Sequence, residues 1–441
     1  MNANEFMLKS IRKLVFFTNR ASIRVSNFSQ KVDGKTTRML SETNSSIRLS
    51  AVLPWEKIYY NGLPGARPVY PALPAIGAKP NVTLFVPSLD NGSFFGGAAT
   101  ALIVAIKTAI KTKRPLHIVQ TSRTGKVHSL NDFFASENIE SSNVNIEITS
   151  IADRKYNTPL HIPMHPKDIF IASFSWDAQI INQLPIEKFI YLVQDFEPIF
   201  YNNSDSYILA EETYNSKKII PLCNTKLMFD FMLDRGYPMF QKNTAFFFEP
   251  AVSRINSGKL IEKSANEKKR IFLYGRPGVS RNLFYTSLEA INLAIENNSI
   301  SSNDYDLFMA GQDDIPNIAL SSGLVIKNLG KMGMSEYVQF SKTVDIAIAP
   351  MMAPHPNYPT LEFASIGSAV VTTKYANKQS LENYSKNIFM SELNAESMAK
   401  AINAATKKTY FNKITDIATN NINDNWDNSL DLVISNVLKL L

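Results

Sequence analysis

Three basic residues in the second half of the chain each follow a predicted strand. Arg276 and Arg281 lie in GRPGVSRN after the strand at 269–274, and Lys331 follows the strand at 324–329. Open α/β sheets bind ligands at the carboxyl ends of their strands, and guanidinium groups suit fixed bidentate contacts with phosphate. The three cations therefore predict a diphosphate site that stabilises a leaving group without a metal ion. The alternative is a set of surface cations on exposed loops.

The stretch 345–374 supplies two further candidate groups. It has the pattern of a buried strand, a proline-rich loop, a short helix and a second buried strand, which is typical of a parallel βαβ unit. We expect Thr360 to cap the helix, so that Glu362 lies in the first turn. A carboxylate there can accept hydrogen bonds from both ribose hydroxyls, while the Tyr358 hydroxyl faces phosphate. The alternative for Glu362 is an acid that only stabilises the helix dipole.

The first half of the chain carries candidates for both substrates. Gly96 and Gly97 begin a predicted helix, where backbone N–H groups can approach an anion, although tight helix packing explains them equally well. The G-x-G-x-x-G spacing of a dinucleotide site is absent. Asp195 and Glu197 follow a predicted strand and stand beside aromatic residues, a mixture that suits a sugar-binding loop, with acids for the hydroxyls and rings for the apolar sugar faces. The alternative is a capping acid followed by core aromatics, and of the two acids we favour Asp195.

These residues need a scaffold that brings strand ends together. Strands and helices alternate in both halves, which predicts an α/β fold of two Rossmann-like, doubly wound domains facing across a cleft. We place the first domain, with the candidate sugar-binding loop, at 51–247 and the second, with the nucleotide-diphosphate candidates, at 248–412. Residues 46–80 are expected to be irregular. A C-terminal helix at 426–441 is expected to pack back on the first domain.

Composition excludes several classes of protein. The chain has 441 residues, 45% of them hydrophobic, and one cysteine, Cys223, so no internal disulfide can form. This cysteine usage suits a reducing cytoplasm, and no apolar run is long enough to span a membrane. The five histidines are scattered, which argues against a metal site. Cytoplasmic localisation without a metal cofactor is the expectation.

The positive charge is concentrated in a basic leader at residues 1–50. Residues 1–45 hold eight Lys or Arg against three acids, whereas the net charge of the whole chain is +7. The remainder is close to neutral, which argues against a nucleic-acid-binding groove. The leader contains a short basic amphipathic segment that could lie on the inner face of the plasma membrane. A docking helix or a frayed extension is the alternative.

The motifs in combination resemble the retaining GT-B glycosyltransferases of family four, and within them the bacterial rhamnosyltransferases of cell-surface glycan synthesis. The resemblance covers residues 80–410. It rests on five segments of the sequence, which are VPSLDNGSFFGGAATAL, YLVQDFEPIFY, YGRPGVSRNLF, LGKM and APHPNYPTLEFASIGSAVVTT.

The resemblance implies a role for each candidate residue. Gly96 and Gly97 would lie against the diphosphate or acceptor, and Asp195 would sit in the acceptor cleft. The donor would be held by Arg276, Arg281 and Lys331 at the phosphates, by Tyr358 as a hydrogen-bond donor to them, and by Glu362 at the ribose.

The resemblance also implies the reaction. It is the transfer of rhamnose from dTDP-rhamnose to a glycan or lipid-linked glycan of an O-antigen, capsule or S-layer, without a metal and with retention at the anomeric carbon. One departure affects the sugar, because Pro354 stands eight positions before Glu362, where these enzymes often carry a glutamate. The alternatives are another nucleotide sugar, a sugar-nucleotide 2-epimerase, or a non-catalytic sugar-nucleotide-binding partner. A homodimer is left open.

Overall fold

The computed structural model describes residues 54–89, 96–124, 129–155, 160–253, 261, 264, 267–411 and 421–441. Two compact units are present. The smaller contains the described residues up to Ala78 together with Asp153–Pro166, and the larger contains those of Lys79–Ala152 and Lys167–Leu441. The basic leader at 1–50 lies outside the described residues, so its predicted contact with a membrane stays a prediction.

The smaller unit corrects the expectation that residues 46–80 are irregular. Its elements are helix α1 (Pro54–Gly62) and the parallel strands β1 (Tyr70–Ala72) and β5 (His161–Pro163). The Arg154 guanidinium donates to the carbonyl oxygen of Arg67, and the Arg67 guanidinium donates to that of Arg154, at 2.9 and 3.0 Å. The pattern did not reveal this strand pair because its two strands are three residues long and far apart in sequence.

The first large sheet belongs to the N-terminal Rossmann-like domain. Its elements in chain order are β2 (Val82–Val86), α2 (Gly97–Thr112), β3 (Leu116–Gln120), α3 (Leu130–Ser136), β4 (Ile146–Ser150), β6 (Ile169–Ala172), α4 (Ser175–Asn182), β7 (Phe189–Val193), α5 (Asp205–Glu212), β8 (Ile219–Asn224), α6 (Lys226–Asp234) and β9 (Phe246–Phe248). The strand order is β4-β3-β2-β6-β7-β8-β9, and every neighbouring pair is parallel. Strands β2, β3, β6, β7 and β8 are buried at every residue, as expected when both faces of a parallel sheet are covered.

The second large sheet belongs to the C-terminal Rossmann-like domain. Its elements are β10 (Lys269–Tyr274), α7 (Phe284–Glu296), β11 (Tyr305–Ala310), β12 (Ile318–Ala319), β13 (Val325–Asn328), α8 (Met334–Ser341), β14 (Ile346–Ile348), α9 (Tyr358–Ile366), β15 (Ala369–Thr373), β16 (Ile388–Ser391) and α10 (Ala395–Phe411). The order is β12-β13-β11-β10-β14-β15-β16, with only the β12–β13 pair antiparallel. The two sheets confirm the predicted fold class.

The last helix, α11 (Trp426–Leu438), packs on the first sheet rather than the second. Trp426, Leu430 and Ile434 recur every four residues and enter the core formed by the first sheet, which is the pattern of one apolar helix face. The Trp426 indole also donates to the Glu137 carboxylate at 3.0 Å. The chain therefore crosses back to the first domain after completing the second. Among the described helices, none has the length and apolar character that a membrane span requires.

Candidate active site

Asp195 lies two residues after β7, and its carboxylate meets two basic side chains of the other domain. The Oδ2 atom is 3.3 Å from Nε of Arg281 and 3.4 Å from Nε2 of His355. Asp195 is only 5% exposed. Burial by itself raises the pKa of this carboxyl, but His355 and Arg281 outweigh that effect and hold the pKa below its usual value. Asp195 is therefore a buried anion at neutral pH.

Both the side chain and the backbone of Arg281 make contacts that hold it in place. It lies in the 3₁₀ turn Ser280–Asn282, and its guanidinium carbon stands 4.2 Å from the centre of the Phe200 ring. An arginine over an aromatic face is attracted by the ring quadrupole. The Arg281 carbonyl accepts a hydrogen bond from the Met352 amide at 2.8 Å, which ties this turn to the loop after β14. Arg281, which is predicted to bind phosphate, is therefore fixed beside Asp195, which is predicted to bind the acceptor.

His355 is oriented by its own loop. Its Nδ1 atom lies 2.7 Å from the carbonyl oxygen of Pro356. A carbonyl can only accept, so Nδ1 carries a proton and Nε2 is the atom turned toward Asp195. With Nδ1 committed to the carbonyl, Nε2 attracts the carboxylate when the ring carries a second proton. Sequence reasoning did not select His355, although it noted Pro354 beside it.

The Gly96–Gly97 segment contacts the loop after β7, which also carries Asp195. Gly96 has φ 55° and precedes α2, whose N-cap position supplies no side-chain hydrogen bond. The Gln194 amide donates to the Gly97 carbonyl at 2.9 Å, and a Cβ atom at residue 97 would lie 3.2 Å from that amide nitrogen. Glycine at 97 therefore leaves room for Gln194, the neighbour of Asp195. The predicted contact with a diphosphate or acceptor stays a prediction.

Helix α9 corrects the predicted position of Glu362. The cap is Asn357, whose side chain accepts from the Thr360 amide at 2.7 Å, and not Thr360 itself. The helix starts at Tyr358, so that Pro359 falls in the first turn, where a proline is tolerated. Glu362 is thus in the second turn. Its carboxylate accepts a hydrogen bond from the Tyr337 hydroxyl at 2.8 Å.

The Tyr358 hydroxyl connects the two domains. It contacts the Thr100 hydroxyl on α2 and accepts a hydrogen bond from the Asn224 amide at 3.3 Å. Asn224 is the last residue of β8 and is followed by Thr225 at φ 95°, a strained value for a β-branched residue. The Asn224 Oδ1 atom is buried without a hydrogen-bond partner in the described part of the chain. The Tyr358 hydroxyl thus contacts the first domain, and its expected contact with phosphate stays a prediction.

Arg276 and Lys331 lie on neighbouring loops of the second sheet. The Gly311 amide donates to the Gly330 carbonyl at 2.9 Å and so joins the loops after β11 and β13. Gly311 has φ 128°, and a Cβ atom there would lie 2.7 Å from Cγ of Arg276, so the close approach requires glycine. The Arg276 guanidinium donates to the Tyr274 hydroxyl at 3.2 Å, and the Lys331 side chain is exposed.

Glu197 does not share the position of Asp195. It is 2% exposed, and its carboxylate accepts a hydrogen bond from the Ser175 amide at 2.5 Å, at the start of α4. Burial is the main reason why the pKa of Glu197 lies well above its usual value. The predicted acceptor role does not fit this placement, because the carboxylate points into the first domain and completes a helix N-terminus.

One lysine that sequence reasoning missed lies behind this cluster. Lys378 is completely buried, and its amine donates to the carbonyl oxygens of Met351 and His355 at 2.9 and 3.2 Å. A lysine in the polar segment after β15 gives no sequence signal of burial. No group of three or more His, Cys, Asp or Glu that could hold a metal ion is found among the residues that the structure describes.

Comparison with known protein families gives two matches, one to each domain. The WsaF N-terminal domain family matches residues 81–226, and the WsaF C-terminal domain family matches residues 269–403. Together the matches cover more than half of the 441 residues. The O-antigen biosynthesis protein RfbC of Myxococcus xanthus is 28% identical over 205 residues, which are 46% of this chain and 15% of RfbC. The chain therefore spans only a small part of that relative's length.

Solved structures with this fold are distant in sequence. Sucrose-phosphate synthase from Thermosynechococcus elongatus matches 82% of this chain and 99% of its own, at 9% identity and a TM-score of 0.55. Anabaena HepE, solved with UDP-glucose, matches 82% and 100%, at 13% identity and 0.54. TarM from S. aureus, solved with UDP, fondaparinux and α-GlcNAc-glycerol, matches 82% and 97%, at 9% identity and 0.52. At these identities the likeness shows the fold alone.

The sheet topology and the solved structures together show that this chain has the GT-B fold, with two Rossmann-like domains. One segment of each domain matches a WsaF domain family, residues 81–226 the N-terminal family and residues 269–403 the C-terminal family.

Proposed function

We propose that the protein transfers rhamnose from dTDP-rhamnose to a growing bacterial surface glycan, with retention at the anomeric carbon and without a metal ion. The observation that carries the proposal is the contact of Asp195 with Arg281 and His355, at 3.3 and 3.4 Å. It brings a carboxylate from the carboxyl end of one sheet against cations from the carboxyl end of the other. Donor phosphate and acceptor hydroxyl can then meet at one point.

The charges of the site suit a leaving diphosphate. Arg276, Arg281 and Lys331 would hold the phosphates and stabilise the negative charge that grows as the sugar bond breaks. Glu362 would accept the ribose hydroxyls, with its carboxylate oriented by the Tyr337 hydroxyl at 2.8 Å. Metal independence rests on these cations, which do the work that Mg²⁺ does in other transferases.

Asp195 would orient the acceptor hydroxyl rather than remove its proton. The pKa of Asp195 lies below its usual value, although burial raises it, because His355 and Arg281 favour the anion. A carboxylate with a low pKa is a good hydrogen-bond acceptor and a weak base. The proton of the acceptor hydroxyl would then pass to an oxygen of the departing diphosphate, which is the front-face route expected of a retaining enzyme.

The choice of sugar rests on the residues that replace the usual glutamate. Pro354 supplies no polar contact, and the adjoining His355 is turned toward Asp195. A 6-deoxysugar needs one hydrogen-bond partner fewer than a hexose with a full set of hydroxyls, which fits the loss of that carboxylate. UDP-glucose, the ligand solved in HepE, is the natural competitor to test.

Two of the similar proteins support a glycan acceptor. RfbC is named as an O-antigen biosynthesis protein, and TarM was solved with a glycosylated glycerol. We propose that the protein extends a lipid-linked glycan at the cytoplasmic face of the plasma membrane.

The test is isothermal titration of the purified protein with dTDP-rhamnose, UDP-glucose and a GDP-sugar, in buffer without divalent metal. We expect selective binding of dTDP-rhamnose, and added Mg²⁺ should leave the affinity unchanged. Preference for a UDP- or GDP-sugar would overturn the donor and keep the transferase. Release of free nucleotide and an altered sugar without an acceptor would favour a 2-epimerase, and no binding at all would favour a non-catalytic partner.

A further inference from the structure

A short hairpin after β15 carries a lysine into the protein interior. The Lys378 amide donates to the Tyr375 carbonyl at 2.8 Å, and the Tyr375 amide donates back at 3.1 Å. Ala376 in the turn has φ 46°, the left-handed region that an alanine seldom adopts. Asn377 donates to the Leu227 carbonyl of the first domain at 2.8 Å. The hairpin is thus fixed from both domains, with the Lys378 side chain directed inward.

The amine of Lys378 joins the two ends of the loop that presents His355. It donates to the carbonyl oxygens of Met351 and His355, which lie four residues apart. The same loop receives a hydrogen bond from the Thr373 hydroxyl to the Met351 carbonyl at 3.0 Å. The loop conformation that turns the His355 ring toward Asp195 is therefore built around this amine.

The buried position of the Lys378 amine also affects its charge. Burial of the amine lowers the pKa of Lys378 to about 7, although the charge of Asp195 acts in the opposite direction. Asp195 is itself paired with His355 and Arg281, and on the hairpin Lys374 is paired with Glu392. In the described part of the chain, the amine has two carbonyl partners. A neutral amine has two N–H groups for them, whereas the charged form adds a third donor and a buried charge.

We propose that Lys378 is a positioning residue of the transferase site, which holds the Met351–His355 loop so that His355 faces Asp195. This inference rests on the proposed function. A buried amine costs desolvation free energy, and here that cost is offset by its hydrogen bonds to two carbonyls of the loop. The amine therefore fixes the geometry of the loop that presents His355.

The first test measures stability and needs no substrate. Lys378→Met is compared with wild type and with Lys374→Met, a matched change at a partly exposed lysine on the same hairpin. Because the folded pKa lies near 7 and the unfolded value near 10.4, the unfolded state binds more protons between them. The wild-type melting temperature should therefore gain from this group as pH rises from 7 to 8. Lys378→Met should lack that gain, whatever its absolute melting temperature, whereas Lys374→Met should keep it.

The second test measures proton uptake when dTDP binds. Titration at pH 7.5 in buffers of different ionisation enthalpy gives the number of protons taken up. Binding of an anionic diphosphate near Asp195 should favour the charged form of Lys378, so wild type and Lys374→Met should take up more protons than Lys378→Met. The affinity of Lys378→Met for dTDP should fall about tenfold, because the His355 loop loses its support.

The outcomes separate the two proposals. Wild type that binds no dTDP would sink the proposed function and, with it, this inference. Wild type that binds dTDP while Lys378→Met shows equal affinity and equal proton uptake would overturn the inference alone. A Lys378→Met variant that melts several degrees below wild type but keeps the wild-type pH dependence and proton uptake would make Lys378 an ordinary structural residue.

Discussion

Asp195 and Arg281 belong to different sheets, yet the Oδ2 atom of one lies 3.3 Å from Nε of the other. The contact unites a carboxylate predicted to bind the acceptor with a guanidinium predicted to bind the donor. The Asp195 side chain is buried and the Arg281 side chain is partly exposed, so loss of Arg281 leaves the buried carboxylate with a poorly compensated charge. Substitution of Asp195 or Arg281 should therefore lower activity by more than the loss of folding stability alone would explain.

Replacement of Arg281 by alanine should reduce turnover more than donor binding. A guanidinium that stabilises the leaving diphosphate acts mainly in the transition state, and loss of such a group costs roughly 100-fold to 1,000-fold in kcat. The affinity for dTDP-rhamnose should change less than about tenfold. Steady-state kinetics with titration of the donor separate the two effects. Equal losses in kcat and affinity would mean that Arg281 only contacts the ground state.

Glu362 and Tyr337 should act together on nucleotide affinity. Removal of the Glu362 carboxylate by alanine should weaken dTDP binding about 10-fold to 100-fold, since hydrogen bonds to a charged group are worth about 1.5–3 kcal/mol. Tyr337→Phe keeps the carboxylate but removes the hydroxyl that orients it, so its loss should be about three- to tenfold. Titration of both variants with dTDP measures this order. Unchanged affinity in Glu362→Ala would contradict the ribose assignment.

The parts of the site that sequence reasoning found are those at strand ends. Buried parallel strands read as continuous apolar runs, so the polar residues after β7 and β10 were recognisable as Asp195 and Arg281. The opposed sheets then bring them together, which the alternation of strands and helices already implied. The fold class and the positions of Asp195 and Arg281 can therefore be predicted from local sequence pattern.

Other features depend on contacts that local pattern does not contain. Nothing near Lys378 in the sequence shows that its amine will meet carbonyls 23 and 27 residues earlier. Glu197 is two residues from Asp195 and chemically equivalent to it, but the 3₁₀ turn Glu197–Phe200 directs it to the N-terminus of α4. The start of α9 was misplaced because two caps were available, and Asn357 prevails over Thr360.

The hydroxyl of Tyr358 should couple the two domains energetically. It accepts a hydrogen bond from the Asn224 amide at 3.3 Å. In a double-mutant cycle of Tyr358→Phe and Asn224→Ala, we expect an interaction free energy of about 0.5–1.5 kcal/mol in denaturant unfolding without nucleotide. The same cycle with dTDP present tests whether the hydroxyl moves to phosphate, which would abolish the coupling. Additive effects without nucleotide would mean that the contact contributes nothing.

The buried carboxyl of Glu197 should make stability fall as pH rises. Burial is the largest cause of its raised pKa, and the unfolded value is about 4.3. Above pH 4.3 the folded state holds a proton that the unfolded state has lost, so the free energy of unfolding decreases by up to about 1.4 kcal/mol per pH unit until the folded pKa is reached. Glu197→Gln keeps an oxygen for the Ser175 amide and does not titrate.

Urea unfolding of wild type and Glu197→Gln between pH 4.5 and 7.5 measures this effect. The variant should gain stability relative to wild type as pH rises, and its transferase activity should stay within about threefold, because the carboxylate lies inside the first domain at the start of α4. Glu187→Gln, a matched change at an exposed glutamate near β7, should show neither a relative gain nor a loss of activity. A large loss of turnover in Glu197→Gln with normal stability would instead restore Glu197 to the acceptor site, and a parallel pH dependence of both proteins would contradict the burial argument.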